Sequence, residues 1–254
     1  MKNIFDSHAH YNDEQFDIDR DSLLASLPEA GIVGIINCGT DVKSSLASLE
    51  MAEKYPFFYA ACGYHPESAL EFTDDNLFEI EKMLSHKKCV AVGEIGLEYH
   101  YDFVPKDVQK YVFEKHLELA VKHDMPVIVH DREAHQDTMD LLEKYKPKGV
   151  LHCYSGSAEM AKEVLKMGMY IGLGGAVTFK NAVKPVDVAE MIPLDRLLLE
   201  TDCPYMSPVP MRGKRNNSAY IEYVAEKIAG IRGISSQELL DKTADNTRIL
   251  FNIK

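Results

Sequence analysis

Short apolar runs alternate with longer amphipathic segments along the whole chain. The runs are rich in β-branched residues and show almost no polar alternation, which is typical of parallel strands buried on both faces. The runs predict eight strands: Ile4–Ser7, Ile32–Asn37, Phe57–Cys62, Cys89–Glu94, Pro126–His130, Gly149–His152, Met169–Leu173 and Arg196–Glu200.

The segments between these runs have the period of surface helices. In the longest of them the apolar residues fall mainly on one face, and Lys and Glu take the other. The predicted helices are Asp21–Ala30, Val42–Lys54, Asp74–Ser85, Lys106–His123, Glu133–Lys144, Ser157–Met167 and Val186–Met191. The tail adds the predicted helices Ser218–Ala229 and Ser235–Asp241, and a last turn at Asp245–Leu250.

This alternation of strand and helix predicts an α/β fold with a parallel sheet. Eight such units in 254 residues favour a (β/α)₈ TIM barrel over a doubly wound sheet. The first strand is not followed by the GxGxxG pattern of dinucleotide-binding folds, which supports the same choice. No linker, low-complexity tract or repeat divides the chain, so we expect one barrel domain over residues 1–254.

Composition and charge narrow the class of protein. The hydrophobic content of 46% is that of a globular chain with a sizeable core. The net charge of -12 argues against broad electrostatic binding of nucleic acid, although a basic loop or bound cations can reverse the local sign. Neither a secretory signal nor a membrane span is expected. The five cysteines lack CxxC spacing, and we expect reduced core thiols in a cytoplasmic protein.

Polar residues with metal-binding chemistry follow the predicted strands. Side chains alternate along a strand, so His8 and His10 leave the first strand on the same side. The carboxyl ends of barrel strands meet on one face, and the residues at or near the other ends are His65, Glu94, His130, His152 and Asp202. Taken singly, each has a structural explanation: a buried ion pair, a core histidine or a turn cap. Together they favour a metal site.

A set of His, Glu and Asp ligands without cysteine suits Zn²⁺, Mn²⁺ or Mg²⁺ in a hydrolase. Six ligands exceed the needs of one tetrahedral ion, so we expect two divalent ions about 3.5–4 Å apart. The predicted arrangement has Glu94 as a bridge, His8, His10 and Asp202 on one ion, and His130 and His152 on the other. Asp202 is also the candidate general base for a shared water.

The substrate class depends on residues outside this set. Arg212, Lys214 and Arg215 lie in a loop after Asp202, and Arg132 follows His130 closely. The loop is either a solvated charged segment or an anion site, and cations beside basic groups suit a phosphate ester. The tyrosines near strand ends could stack on bases; they are Tyr64, Tyr99, Tyr101, Tyr154 and Tyr205.

With these residues in place, the sequence resembles the TatD-type metal-dependent deoxyribonucleases of the amidohydrolase-like barrels. The resemblance runs essentially from end to end. It rests on FDSHAHY at 5–11, GYHP at 63–66, VGEIGLEYH at 92–100, PVIVHDREA at 126–134, HCYSGS at 152–157, GGAVTFK at 174–180 and LLETDCPYMSP…RGKRN at 198–216.

The resemblance implies a barrel hydrolase that uses divalent metal and acts on DNA, commonly from the 3′ end. The metal ligands of the family fall on the six residues found at the strand ends, and His65 falls on the histidine that lines the substrate side. We accordingly expect Asp202, Glu94 and His65 to be catalytic, single strands or 3′ ends of DNA to be the partner, and the protein to be a monomer. Family members usually carry aspartate where this chain has Glu98.

Other functions are compatible with the same barrel. The metal set also suits hydrolysis of a small ester, amide or lactone, or of the ester of a mischarged tRNA. A third alternative is a barrel that binds nucleic acid or a partner without turnover. The sequence leaves open the physiological metal, the choice between exo and endo cleavage, and the choice between DNA and RNA.

Overall fold

The computed structural model describes residues 1–254 and contains one sheet of eight parallel strands, hydrogen-bonded in chain order. The strands are β1 (Ile4–Ala9), β2 (Ile32–Cys38), β3 (Phe58–Cys62), β4 (Cys89–Glu98), β5 (Val127–Arg132), β6 (Gly149–Leu151), β7 (Tyr170–Leu173) and β8 (Leu197–Leu199). Each corresponds to a predicted run, and the prediction of a TIM barrel is confirmed. The strands that extend furthest beyond their predicted ends are β1, β4 and β5, and these strands carry several of the predicted metal ligands.

A helix follows each strand and packs on the outside of the sheet. The helices are α1 (Arg20–Ser26), α2 (Val42–Lys54), α3 (Asp74–Met83), α4 (Lys106–Lys122), α5 (His135–Tyr145), α6 (Ala158–Lys166), α7 (Lys184–Met191), α8 (Ile221–Arg232) and α9 (Ser236–Leu250). Local sequence explains where several begin. At α2, for example, the Asp41 side chain accepts from Ser44 N at 2.6 Å while the Ser44 hydroxyl accepts from Asp41 N, a capping box.

The C-terminal helix corrects one prediction. The predicted helix Ser235–Asp241 and the predicted turn Asp245–Leu250 fall in one continuous helix, α9, which Ser235 caps. Polar residues in its middle do not interrupt it, because the Thr243 hydroxyl donates to Leu239 O at 3.0 Å and the Thr247 hydroxyl donates to Thr243 O at 2.9 Å. The hydroxyl groups are thereby satisfied by the helix itself, and the helix continues.

The barrel closes between β1 and β8 with few ladder bonds. These two strands do not pair along their length, and one parallel bridge joins Ala9 to Cys203. Around it, His10 N donates to Cys203 O at 2.8 Å and Asp202 N donates to His8 O at 3.0 Å. This closure places the segment after β8 directly beside the end of β1.

Apolar residues of the strands and of the inward helix faces form the core. All five cysteines are free, and four of them are buried. None of the nine helices has the length and apolar character required to cross a membrane.

Candidate metal centre

The carboxyl ends of five strands bring the six predicted metal ligands together. The residues come from β1 (His8 and, just after it, His10), β4 (Glu94), β5 (His130), the end of β6 (His152) and the segment after β8 (Asp202). Glu94 is 2% exposed and lies at the centre of the group. A single carboxylate is therefore surrounded by imidazoles from three separate segments of the barrel rim.

The two oxygens of Glu94 face different histidines. Oε2 lies 3.3 Å from His8 Nε2 and 3.2 Å from His10 Nε2. Oε1 lies 3.0 Å from His130 Nδ1 and 2.7 Å from His152 Nε2. The carboxylate thus separates two pairs of imidazoles, as a bridging ligand between two cations would.

Asp202 completes the side that holds the first two histidines. Its Oδ1 lies 3.7 Å from His8 Nε2 and 3.5 Å from His10 Nε2. The residue has a left-handed backbone with φ of 57°, unusual for a residue other than glycine. Its backbone is held by the bond from its N–H to His8 O and by the bond from Tyr205 N to its carbonyl, at 2.9 Å. The side chain is 20% exposed and so reaches both the histidines and the solvent.

The hydrogen bonds around the histidines test whether a cation fits. His10 Nδ1 lies 3.0 Å from the carbonyl of Cys38, which accepts only, so this nitrogen keeps its hydrogen and Nε2 is the nitrogen that can bind a cation after losing its proton. His8 Nε2 and His10 Nε2 lie 2.9 Å apart and both face Glu94 and Asp202. Three groups of candidate donor atoms each fall within 4.8 Å of one another. Lone pairs and carboxylate oxygens directed at the same points fit divalent cations.

The electrostatics of the cluster agree with this fit. Burial lowers the pKa of His10 and of His130, but hydrogen bonds to buried carboxylates outweigh it and raise both pKa values to about 10. Burial likewise raises the pKa of Glu94, but the charge of the surrounding histidines, His152 foremost, and a hydrogen bond to His10 hold it well below its usual range. Without a cation, protons therefore balance the carboxylates, and metal binding must displace them.

Glu98 supports one of the histidines from behind. Its Oε2 lies 3.3 Å from His130 Nε2, and a carboxylate in this position orients a metal-binding imidazole. Glu200 lies behind His152, but its Oε1 is 3.8 Å from His152 Nδ1, which has no hydrogen-bond partner, and Oε1 accepts from Cys153 N instead. The sequence did not indicate this role of Glu98. The period of a strand offered a signal, because Glu98 lies four residues after Glu94 and so shares its face.

His65 and Arg132 lie at the edge of this centre. His65 Nδ1 accepts from Glu67 N at 3.2 Å, so Nε2 carries the hydrogen, and Nε2 lies 3.6 Å from Glu94 Oε1. Burial lowers the pKa of His65 to about 3, despite the raising effect of the Glu94 charge, which keeps the ring neutral. The Arg132 side chain is 45% exposed and lies 3.6 Å from Glu98 Oε2.

Two cavities open over the cluster. One, of about 530 Å³, is lined by His65 and Tyr101 among others, and the second, of about 490 Å³, by Asn181 and Lys184 among others. Five residues line both: His130, Arg132, His152, Asp202 and Met206. The two spaces therefore meet above the candidate ligands.

The basic side chains of the loop after β8 do not line either cavity. Arg215 donates to Asp19 through two nitrogens, at 2.8 and 2.6 Å, and the guanidinium of Arg212 lies 4.1 Å from the ring centre of Phe179. Neither side chain lines either cavity, and nor does Lys214. An ion pair and an aromatic ring within the protein hold the two arginines, so the structure does not bring this predicted anion site to the metal centre.

Comparison with known proteins identifies the family. Residues 5–252 match the model of the TatD related DNase family. The uncharacterized metal-dependent hydrolase YabD of Bacillus subtilis (strain 168) is 43% identical over 253 residues, which cover 98% of this chain and 99% of that protein. The 3'-5' ssDNA/RNA exonuclease TatD of Erwinia tasmaniensis is 32% identical over 259 residues, with coverage of 98% and 100%.

A solved structure gives the same result. The crystal structure of YJJV, a TatD homolog from Escherichia coli K12, superimposes with a TM-score of 0.93 at 32% identity and covers 99% of both chains. Sequence and fold thus agree over nearly the full length. The chain therefore belongs to the TatD related DNase family, a family of metal-dependent hydrolases.

Proposed function

We propose that the protein is a deoxyribonuclease that hydrolyses phosphodiester bonds of single-stranded DNA from the 3′ end, with two divalent ions (Mg²⁺, Mn²⁺ or Zn²⁺). The observation that carries the proposal is the position of Glu94 between two pairs of imidazoles. The name of the Erwinia tasmaniensis relative, a 3'-5' ssDNA/RNA exonuclease, supports the substrate and the direction.

The chain offers a ligand set for each ion. His8, His10 and Asp202 would hold one ion, His130 and His152 the other, and Glu94 would bridge them. When bound, a pair of divalent cations lowers the pKa of water and neutralises the charge that develops on phosphate oxygens. Glu98, which is hydrogen-bonded to His130, would keep that ring in the correct orientation.

Asp202 is the candidate general base. Burial raises the pKa of its carboxyl, but the hydrogen bond to His10 and the charges of His8, His10 and His152 outweigh burial and lower it. The carboxylate is therefore ionised at neutral pH. Because the side chain lines both cavities, it can accept a proton from water held beside a substrate phosphate.

His65 and Arg132 are the candidate phosphate contacts. His65 is neutral and carries its hydrogen on Nε2, as the bond from Glu67 N to Nδ1 requires, so it can donate to a phosphate oxygen. Arg132 lies where the two cavities meet and offers a planar donor suited to phosphate. Both groups line the cavity that contains Glu94, where we expect a scissile phosphate to bind.

The proposed reaction balances with water as the only co-reactant. The oxygen of water attacks the phosphorus, the bond from phosphorus to the 3′ oxygen breaks, and Asp202 takes the proton from the attacking water. The 3′ oxygen of the shortened strand takes a proton from solvent. The products are a nucleoside 5′-monophosphate and a strand with a new 3′-hydroxyl.

A cleavage assay on single-stranded DNA tests the proposal. Strands labelled at the 3′ end or at the 5′ end are incubated with chelator-treated protein, with the same protein after metal is restored, and with the Glu94→Gln and Asp202→Asn variants. Stepwise loss from the 3′ end, restored by metal and reduced at least about a hundredfold in both variants, is the expected result.

The matched control is Glu163→Gln. Glu163 is an exposed carboxylate of α6 that pairs with Lys166, and its replacement should leave cleavage unchanged. DNA that stays intact with every metal, while a neutral ester or lactone is hydrolysed, would overturn the nuclease proposal and retain the metallohydrolase. Cleavage that survives chelation and both site variants would exclude this metal centre as the active site.

A further inference from the structure

We propose that Tyr101 and Phe103 form a stacking platform for unpaired bases of the strand that enters the metal centre. The inference rests on the proposed action on nucleic acid and names the part of the protein that holds the strand. The term "base platform" denotes these two residues below.

The two rings already stack on each other in the segment between β4 and α4. Their centroids lie 5.5 Å apart, with 24° between the ring planes. Tyr101 is 42% exposed and Phe103 is 56% exposed. Large apolar rings gain free energy by leaving water, so a stacked and exposed pair at the mouth of a cavity indicates a surface that receives a flat apolar group.

The base platform is continuous with the candidate active site. Tyr101 lines the cavity of about 530 Å³ that also contains Glu94 and His65. The guanidinium of Arg132, which lines the same cavity, lies 5.1 Å from the centre of the Tyr101 ring. A cation that serves phosphate and an aromatic surface that serves a base are thus adjacent, as an alternating chain of phosphates and bases requires.

The other tyrosines near the strand ends are less suited to this role. Tyr64 and Tyr154 are buried, at 5% and 4% exposure. Tyr99 donates its hydroxyl to a carboxylate of α5 at 2.6 Å, and a lysine lies over its ring. Tyr205 is half exposed, but no aromatic ring stacks on it, and its hydroxyl donates to an aspartate after β1 at 2.7 Å. The structure therefore selects Tyr101 and adds Phe103, which the sequence did not indicate.

Stacking of this kind predicts a particular substrate preference. Every base has an aromatic face, so the platform should tolerate all four bases while depending on a base being present. In a duplex the faces of the bases are already stacked, so a duplex should gain little binding free energy from the base platform. The occupant is therefore an unpaired nucleotide near the scissile bond, with no strong base identity.

The test compares binding of a natural strand with binding of the same strand carrying abasic residues at one or two positions near the 3′ end. Kd is measured by fluorescence anisotropy on metal-loaded protein, with terminal phosphorothioate linkages to slow cleavage. Wild-type protein should bind the abasic strand about tenfold more weakly. Phe103→Ala should bind both strands within about twofold, and Phe103→Trp should retain the preference.

Phe103 is the first residue to change because the contact with Arg132 is made by Tyr101, so Phe103→Ala leaves the guanidinium contact in place. Tyr111→Ala is the matched control. Tyr111 lies in α4, is 47% exposed and has the amine of Lys115 5.6 Å from its ring centre, yet it lines neither cavity. The control should show the same preference for the natural strand as wild-type protein.

The platform would be overturned if the abasic strand lost the same factor in Kd with Phe103→Ala as with wild-type protein. A second result would also overturn the platform: wild-type protein binds the natural and abasic strands equally, and sedimentation shows a dimer that Phe103→Ala abolishes. A second copy of the chain would then be the occupant of the two rings. The binding readout is independent of turnover. A base preference without cleavage removes the nuclease proposal alone, and cleavage without a base preference removes the platform alone.

Discussion

Asp6 and Glu94 are both carboxylates buried in barrel strands, but their partners differ. Asp6 is fully buried and accepts four hydrogen bonds from neutral groups. The hydroxyls of Thr201 and Ser218 each donate to Oδ2 at 2.6 Å, while Thr201 N and His8 N donate to Oδ1 at 3.0 and 3.3 Å. This cluster links β1 to the segment after β8 and so supports the closure of the barrel.

Glu94 has imidazole partners instead. In His10, Nδ1 bonds to a backbone carbonyl, so Nε2 is the nitrogen that faces Glu94. In His130, Nε2 bonds to Glu98, so Nδ1 is the nitrogen that faces Glu94. The pKa values separate accordingly: burial raises that of Asp6 to about 6 in spite of its hydrogen bonds, whereas histidine charge overrides burial and lowers that of Glu94. Burial alone therefore does not mark a functional carboxylate; the chemistry of its partners does.

The largest expected effect comes from Asp6→Ala. The change leaves two hydroxyls and two backbone N–H groups without their acceptor in the interior, and each unsatisfied group costs about 1–3 kcal/mol. Because some of these groups find other partners, we expect the free energy of unfolding to fall by about 3–5 kcal/mol, measured by urea denaturation.

Thermal denaturation with and without added metal distinguishes the two carboxylates. Metal that binds only the folded state raises the melting temperature. Asp6→Ala should start from a lower value and still gain from metal, while Glu94→Gln should lose most of the gain. A gain from metal that survives in Glu94→Gln would break the distinction between the two carboxylates.

The next effect in size comes from Glu98→Gln. The carboxylate accepts from His100 N at 2.8 Å through Oε1 and faces His130 Nε2 at 3.3 Å through Oε2. An amide has one oxygen and cannot accept both bonds. We expect metal affinity to fall about 10–100-fold, measured by competition with a chelating dye.

Glu133→Gln is the matched control for this variant. Glu133 also contacts His100, at 2.8 Å, but it is exposed and has no contact with His130. Its metal affinity should equal that of wild-type protein, and nitrogen NMR should show a changed tautomer of His130 only in Glu98→Gln. Equal affinities in the two variants would remove the supporting role from Glu98.

The smallest effect concerns His116, a buried histidine without a charged partner. Burial lowers its pKa from 6.5 to about 4, although a hydrogen bond to Val112 O acts in the opposite direction. Between these values the unfolded chain binds a proton that the folded protein does not, so stability falls as pH falls. From pH 7 to pH 5 this residue should remove about 2 kcal/mol of stability.

The measurement compares wild-type protein with His116→Leu by urea denaturation at both pH values. The variant should lose about 2 kcal/mol less than wild-type protein over this interval, whatever its stability at pH 7. Equal losses in the two proteins would show that burial without charged partners does not shift this histidine, and the contrast between Asp6 and Glu94 would need another cause.

The regular elements were largely predictable because buried parallel strands and amphipathic helices leave strong local patterns. The convergence of the six candidate ligands was also predictable, since parallel strands bring their carboxyl ends to one rim. The break proposed inside α9 was wrong because its threonine hydroxyls bond to backbone carbonyls within the helix. A pattern of residue types does not report such a bond.

The barrel and the set of residues at its rim were predictable from the chain alone, because both depend on periodicity along it. Which of those residues act together follows from tertiary contacts. In the folded protein Arg215 pairs with Asp19 and lies outside the cavities, Glu98 lies behind His130, and Phe103 stacks on Tyr101. Each of these arrangements depends on contacts between side chains, and the direction of a long side chain follows from its neighbours in space.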